Sequence, residues 1–163
     1  MDRLAALRRL APIQMSDLEG CWHIQLTNFP MWLTGKKLGP TLNYGESMDD
    51  GRFTDTVRFR TNYGKERLIQ GFDAQDIDNR AHFRWRGKGL LSLLSSDWYV
   101  VHLDKNVGLM AIYFTKTLFT PEGMDIASRS ARPEEAQIRE FLSALKTMPE
   151  FGSMVSTLVP VSD

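Results

Sequence analysis

The chain has 163 residues, with 20 lysine and arginine side chains balanced by 20 aspartate and glutamate side chains. This length supports one hydrophobic core rather than two, so we expect a single domain. The even charge and the lack of a basic tract argue against nucleic acid as a partner.

The single cysteine, Cys21, cannot form an internal disulfide, which favours a reducing compartment. Residues 1–14 mix leucine with charged side chains and contain no continuous apolar run of the kind found in signal peptides. We therefore predict a cytoplasmic protein without a transmembrane segment.

Residues 1–15 are predicted to form an N-terminal arm. Leu4, Leu7 and Leu10 have helical spacing, and Pro12 ends the pattern. The favoured interpretation is a frayed arm or a plug on the closed end of the domain, with a membrane-surface anchor as the alternative. Whether translation starts at Met15 stays open.

Beyond the arm, short runs rich in β-branched and aromatic residues alternate between apolar and polar side chains. The first such run covers residues 22–28. Residues 41–46 and 53–61 form a predicted hairpin, because the turn signal Asp49-Asp50-Gly51 separates them. Further strands are predicted over residues 66–72, 80–86, 97–103, 107–115 and 123–129.

One long helix is predicted over residues 133–147. Pro133 suits its first position, Glu134 and Glu135 suit the dipole of its first turn, and Pro149 follows its end. Its apolar stripe consists of Ile138, Phe141, Leu142 and Leu145. A last strand is predicted over residues 155–159.

Eight strands in simple succession, followed by one helix, are most easily closed as an up-and-down barrel. We therefore predict an all-β fold with one C-terminal helix, in which residues 16–163 form an eight-stranded antiparallel β-barrel. Closure would also remove exposed strand edges.

Over residues 18–159 the sequence resembles the lipocalin family, in particular its bacterial and apolipoprotein D-like branch. Gly20-Cys21-Trp22 matches the Gly-x-Trp motif of the first strand, and Ser128-Arg129-Ser130 is similar to the Ser-Arg-Thr-Pro motif that ends the eighth. Residues 99–104 look like the sixth strand entering its aspartate turn, although Val107 replaces the usual aromatic residue after that turn. The resemblance implies a structural contact in which Arg129 stacks on Trp22 to seal the barrel floor.

The resemblance also implies a lumen that binds a lipophilic molecule, with Trp22 pointing inward. Alternation then gives the lumen-facing residues of the first five strands. For residues 97–129 both faces are apolar, so the register comes from the resemblance, and a one-residue slip would exchange the two faces. The predicted ligand-binding residues are Leu26, Tyr44, Asp55, Val57, Phe59, Phe83, Trp85, Trp98, Val100, His102, Tyr113 and Asp125. Asn28, Ala111 and Thr115 are also expected to face the lumen, and the expected helix-facing residues are Tyr99, Val101, Leu103, Met110, Ile112 and Phe114.

Two long connections, residues 29–39 and 87–96, are expected to surround the open end of the barrel. Both contain apolar residues that loops seldom have: Met31, Trp32, Leu33, Leu90 and Leu91. They form either an apolar rim through which a ligand enters or extensions that pack on each other.

The leading functional hypothesis is a carrier or scavenger of a fatty acid, lipid or hydrophobic metabolite. The alternative is a cofactor-free cyclase or isomerase, in which Asp55, His102 and Asp125 act as acid or base. These polar residues have a third interpretation, as an internal polar network. A protein-binding module that presents residues 31–33 is also considered.

The sequence contains no phosphate-binding loop, no His or Cys cluster at metal spacing and no nucleophile elbow. We therefore expect no metal and no cofactor. The protein is expected to be a monomer or a weak dimer.

Overall fold

The computed structural model describes residues 2–163, and it shows a closed antiparallel barrel. Alternating apolar and polar residues give each strand one face for the interior and one for the exterior. The strands are β1 (Gly20–Thr27), β2 (Lys37–Tyr44), β3 (Arg52–Thr61), β4 (Glu66–Gln75), β5 (His82–Gly87), β6 (Ser95–Asp104), β7 (Leu109–Phe114), β8 (Gly123–Ser128) and a short β9 (Val159–Pro160). Each of the first seven strands pairs with the next, and β8 pairs with β1, which confirms the predicted fold class.

The turns between strands define two ends of the barrel. The connections β1–β2, β3–β4, β5–β6 and β7–β8 lie at the open end, and the other three connections lie at the closed end. Two of the open-end connections contain a single 3₁₀ turn, Pro30–Trp32 and Gly89–Leu91.

Four helices accompany the barrel in the described part of the chain: α1 (Arg3–Leu7), α2 (Met15–Leu18), α3 (Glu135–Lys146) and α4 (Pro149–Val155). Helix α4 was not predicted from the sequence, and of the strand predicted over residues 155–159 only Val159 lies in a strand, because Val155 ends α4 and a turn follows it. Pro149 starts this helix rather than ending the helical region, because Phe151, Met154 and Val155 recur at helical spacing and are buried. Only Val159–Pro160 extends beside β1.

The N-terminal segment packs against the barrel. Leu7 is buried beside the helices, whereas Ile13 and Leu18 are buried at the closed end. The backbone N–H of Ile13 donates to the Arg80 carbonyl at 3.3 Å, which fixes the segment to the β4–β5 turn. Within residues 2–163, none of the helices has the length and the apolar character needed to cross a lipid bilayer.

The barrel floor contains the contact that the family resemblance implies. The guanidinium carbon of Arg129 lies 3.9 Å from the centroid of the Trp22 ring. Arg129 also donates to the carbonyls of Asp17 at 2.8 Å and Cys21 at 3.2 Å, and the Trp22 indole donates to the Leu18 carbonyl at 2.8 Å. Gly20 has a φ of +102°, and a Cβ at this position would lie 3.0 Å from Arg129. The glycine therefore supplies both a backbone conformation and space that a larger residue would not.

The buried side chains form two separate cores. The lumen core lies inside the barrel and includes Trp22, Phe53, Phe83 and Trp98. The outer core lies between strands β6–β8 and helices α3 and α4, and it includes Leu109, Ile126, Phe141, Leu145 and Phe151.

Two β-bulges change which side chains enter the lumen. In β1, pairing with β8 shifts between Ile24 and Leu26, so Leu26 joins the outer core and Thr27 turns inward. In β6, pairing with β7 shifts between Val100 and His102. Each bulge inserts one extra residue into its strand. The side chains that follow the bulge therefore point to the face opposite to the one that simple alternation predicts.

The β6 bulge corrects the predicted register of β6 and β7. His102 lies outside the barrel, with its ring centroid 5.0 Å from that of Phe141. Its neighbour Leu103 packs on the lumen core instead. The residues of β7 exchange faces accordingly: Met110, Ile112 and Phe114 face the lumen, whereas Ala111 and Tyr113 face the helices.

Candidate ligand-binding site

A cavity of about 180 Å³ lies in the lumen toward the open end of the barrel. It has a mostly apolar lining into which a few polar side chains project, which is the usual composition of small-molecule sites. The lining residues are Phe29, Met31, Trp32, Leu42, Tyr44, Asp55, Val57, Ile69, Trp85, Ser96, Trp98, Phe114, Thr115, Thr120 and Asp125.

Most of the residues predicted to bind ligand lie inside the barrel. Those that line the cavity are Tyr44, Asp55, Val57, Trp85, Trp98 and Asp125. Phe59, Phe83 and Val100 belong to the lumen core but do not line the cavity. Contact of any of them with a ligand stays a prediction.

Three of the predicted ligand-binding residues do not face the lumen. Leu26 and His102 are displaced by the two bulges. Tyr113 packs on Phe151 in the outer core, with ring centroids 5.8 Å apart, and its hydroxyl donates to Glu122 at 2.7 Å. Asn28 also lies outside, where its side-chain amide donates to the Thr157 hydroxyl at 3.1 Å. The prediction that these four residues face the lumen is therefore wrong.

Several interior residues were not predicted. Phe29, Leu42, Ile69 and Phe114 add to the apolar wall of the cavity. Asp73 is the most consequential omission, because the sequence suggested that it begins the polar β4–β5 turn, whereas β4 continues to Gln75. Alternation extended one residue beyond the predicted end of the strand at residue 72 would have placed Asp73 on the inner face with Ile69.

A stack of aromatic rings forms one wall of the lumen. The Trp98 ring lies between Tyr44, at a centroid distance of 5.6 Å, and Phe83, at 4.4 Å, and both pairs are nearly parallel. Trp85 extends this wall toward the open end. A Cβ at Gly71 would lie 2.3 Å from the Trp85 indole nitrogen, so only a glycine leaves space for this ring.

A pair of carboxyl groups lies in the deeper part of the lumen, on neighbouring strands. Asp55 is opposite Gly71, and Asp73 is opposite Phe53, so the two side chains are diagonal neighbours on the inner face. The Trp98 indole donates to Oδ1 of Asp73 at 2.8 Å. Oδ1 of Asp55 and Oδ2 of Asp73 have no donor among the described residues.

Burial raises the pKa of both carboxyl groups. The pKa of Asp55 is raised to about 7, and the negative charge of Asp55 adds to the effect of burial at Asp73. The two groups are close enough to hydrogen bond once one of them holds a proton. Burial also raises the pKa of Tyr44 well above its ordinary value, and the nearby charges of Asp55, Asp73 and Asp125 add to this effect.

Asp125 is a third interior acid, and it lies nearer the open end. The Thr27 hydroxyl donates to its Oδ1 at 2.6 Å, which the β1 bulge makes possible. Burial raises the pKa of Asp125 to about 7, although hydrogen bonding from Thr27 and Trp32 opposes the rise.

The loops at the open end divide into inward and outward apolar residues. Met31 and Trp32 line the cavity, and Trp32 packs edge to face on Phe59 at 5.9 Å. Leu91 packs over Gly87. Leu33 is partly exposed, and Leu90 is fully exposed together with Leu93 and Leu118. The rim is therefore apolar, but its exposed part comes mainly from the β5–β6 and β7–β8 connections.

Within the described chain, no group of three or more His, Cys, Asp or Glu side chains could hold a metal ion. The two deep carboxyl groups and Asp125 are therefore too dispersed to form one metal centre. The chemistry that the lumen offers is hydrogen bonding, negative charge and aromatic surface.

Neither a protein-family model nor a curated protein matches the sequence. Solved structures do match. Insecticyanin from the tobacco hornworm Manduca sexta has a TM-score of 0.73 and 15% identity, over 94% of this chain and 82% of that chain. The siderocalin Ex-FABP has a TM-score of 0.63 and 14% identity, over 90% and 95%. Lobster apocrustacyanin A1 has a TM-score of 0.63 and 14% identity, over 91% and 78%.

The closed eight-stranded barrel, its internal cavity and its C-terminal helix define the lipocalin class of fold. The structural neighbours are lipocalins, and this chain has the lipocalin fold. Its place in the bacterial and apolipoprotein D-like branch stays a prediction.

Proposed function

We propose that the protein binds a small, largely apolar molecule in the barrel lumen, as a carrier or scavenger. The observation on which this depends is the cavity, which is lined by residues of the β1–β2 and β7–β8 connections and of the barrel interior and has a mostly apolar lining. Burial of apolar ligand surface there would contribute about 25 cal/mol per Å². The similarity to Ex-FABP, which is described as functioning through dual ligand specificities, supports a binding role.

The volume of this cavity by itself suits a small hydrophobic metabolite. Pockets for drug-sized ligands measure roughly 300–1,000 Å³, and the present cavity has about 180 Å³. A molecule with one aromatic ring and a short chain suits this cavity, and a second pocket of about 400 Å³, which shares Trp85, Ser96 and Thr120 with it, offers further space at the open end.

The enzymatic alternative loses its proton-shuttling pair. His102 lies outside the barrel on Phe141, whereas Asp55 and Asp125 lie inside, so the predicted Asp–His combination does not form. The alternative in which residues 31–33 bind a protein is also less favoured, because Met31 and Trp32 face the cavity. The cytoplasmic location and the monomeric or weakly dimeric state stay predictions.

The proposal is tested by filling the cavity. Val57→Trp places a larger side chain in the cavity wall, and Val159→Trp makes the same change on the exposed β9 as a matched control. The wild-type protein is first purified from its native host and analysed by native mass spectrometry for a co-purifying small molecule. That molecule, and small aromatic probes, are then titrated by calorimetry.

We expect the wild type and Val159→Trp to bind equally, and Val57→Trp to lose about tenfold or more in affinity. Circular dichroism confirms that both variants fold. Equal affinity in all three proteins would refute binding in the lumen, and chemical conversion of the probe would favour the enzymatic alternative.

A further inference from the structure

We propose that the ligand has a protonated amine, which binds the carboxyl pair of Asp55 and Asp73 in the deep part of the lumen. This inference rests on the proposed function, because it specifies the chemical class of the molecule in the same cavity. It is argued from the unpartnered carboxyl oxygens, the missing counter-charge and the aromatic wall.

The first argument is the state of the two carboxyl groups. Asp55 lines the cavity and is 7% exposed, and Asp73 lies directly behind it with no exposed surface. One oxygen of each group has no donor among the described residues. Buried polar atoms normally have a hydrogen-bond partner, so these two oxygens identify a position where a donor is missing.

The second argument is the absence of a positive charge beside the two carboxyl groups in the deep part of the lumen. None of the ion pairs among residues 2–163 involves Asp55, Asp73 or Asp125. The other titratable group that faces the pair is Tyr44 of β2, which is itself an acid. Five arginines of the strands around the pair lie on the exposed outer face: Arg52, Arg58, Arg60, Arg84 and Arg86. Two cations share the inner face, but both lie at the open end of the barrel: the exposed Arg67 is opposite Phe59, and Nζ of Lys37 is 5.3 Å from the centroid of the Phe59 ring.

Burial of a carboxylate is costly unless a cation or several donors compensate for it. A ligand ammonium group would supply both a positive charge and up to three donors. It would take the place of the proton that the two carboxyl groups otherwise share. A ligand carboxylate or phosphate would instead be repelled by the three acids.

The third argument is the aromatic surface beside the acids. The ring of Tyr44 packs on Trp98, Trp98 donates to Asp73, and Trp85 lies directly across from Asp73 on β5. Cations bind favourably over the faces of such rings. Acidic and aromatic groups together favour an organic ammonium ion, whereas a metal ion would need more oxygen ligands than this pair offers.

The test compares three probes that differ in their polar group. These are 2-phenylethylamine, the neutral alcohol 2-phenylethanol and the anion 3-phenylpropionate, each with two methylene groups between the ring and the polar group. Calorimetric titration at pH 8 is expected to give an affinity for the amine about 10 to 100 times that for the alcohol, with the anion weakest. The preference for the amine should decrease between pH 8 and pH 6, because the carboxyl groups then become protonated.

Variants then test which residues cause the preference for the amine over the alcohol. Asp55→Asn and Asp73→Asn keep the shape of the side chain and remove its charge, and Asp78→Asn makes the same change on an exposed turn residue as a matched control. We expect each lumen variant to lose at least about tenfold in amine affinity while its alcohol affinity stays within about twofold. The Asp78→Asn variant should behave as the wild type.

Two results would overturn the inference. One is an alcohol affinity in the wild type that equals or exceeds the amine affinity, and the other is an unchanged amine preference in both lumen variants. In either case binding of the alcohol, if lost in Val57→Trp, still supports the proposed function. If none of the three probes binds and no small molecule co-purifies, the proposed function fails as well.

Discussion

The outer core and the lumen core of this protein are built from similar apolar residues, but they are filled differently. In the outer core, side chains such as Leu145 and Phe151 are fully buried against the helices. The lumen core contains three buried acids and a cavity of about 180 Å³. Polar groups near the outer core are satisfied, as when Gln25 donates to the Ser128 hydroxyl at 2.9 Å, whereas two lumen oxygens have no donor.

This difference separates a region that stabilises the fold from a region that is available for binding. An interior optimised for stability alone would not contain unpaired carboxyl groups or an empty volume, because both are costly. The lumen core therefore contributes less to the stability of the fold than the outer core does. Four predictions test this division.

The largest expected effect is on the outer core. Leu145→Ala removes a fully buried side chain from a filled region, and it should lower the free energy of unfolding by about 2–5 kcal/mol. Leu42→Ala, the matched change in the cavity wall, should cost less, about 2 kcal/mol or below, because the site already borders a void. Urea denaturation measures both.

The order of the two variants should be reversed for ligand affinity, where the cavity-wall variant has the larger effect. Leu42→Ala should change the affinity of 2-phenylethylamine, and Leu145→Ala should not, at a temperature where both proteins are folded. Equal losses of stability in the two variants would contradict the distinction between the cores.

The next effect concerns the pH dependence of stability. Burial raises the pKa of Asp125 and of Asp55 from 3.8 to about 7. Between these pH values the native protein binds more protons than the unfolded chain, so the free energy of unfolding should fall as the pH rises from 5 to 8. Other carboxyl groups, such as Asp50 and Glu122, have a lowered pKa. They titrate below this pH range and do not cancel the effect.

Urea denaturation at pH 5, 6, 7 and 8 measures this dependence. Asp125→Asn should flatten it and stabilise the protein at pH 8 relative to the wild type, whereas Asp78→Asn should not. A wild-type stability that rises with pH across this range would show that the lumen acids are not buried as described.

A smaller effect is expected at the barrel floor, where the lumen is sealed. Arg129→Lys replaces a planar cation on the Trp22 ring, and it should cost about 0.5–2 kcal/mol. Arg132→Lys, on an exposed residue close by, is the control. Thermal unfolding compares the two variants. Equal midpoint temperatures for Arg129→Lys and Arg132→Lys would contradict a structural role for the contact.

The smallest effect is expected at His102. Because the ring packs outside the barrel on Phe141, His102→Asn should leave the affinity for 2-phenylethylamine unchanged and alter stability by about 1 kcal/mol or less. Calorimetric titration, with Val57→Trp as the variant that loses affinity, measures this. A clear loss of affinity in His102→Asn would contradict the position of this side chain outside the barrel.

Much of the fold could be predicted from the sequence, whereas the site could be predicted only where alternation is unbroken. In β3, Phe53, Asp55 and Val57 face the interior as the period of two requires. In β1 and β6, the same rule fails after Ile24 and Val100, because each strand contains an extra residue. A local pattern does not reveal such a residue, since its position depends on how the neighbouring strand pairs.

The sequence by itself determined the succession of eight strands and the presence of acids among inward-facing residues, and its resemblance to the lipocalin family implied the sealed floor at Trp22 and Arg129. Only the tertiary structure decided that Asp55 meets Asp73, that Thr27 rather than Leu26 reaches Asp125, and that His102 and Tyr113 lie outside. The physical reason is that alternation is a property of one strand, whereas the distance between two side chains depends on strand register and on the bulges that shift it.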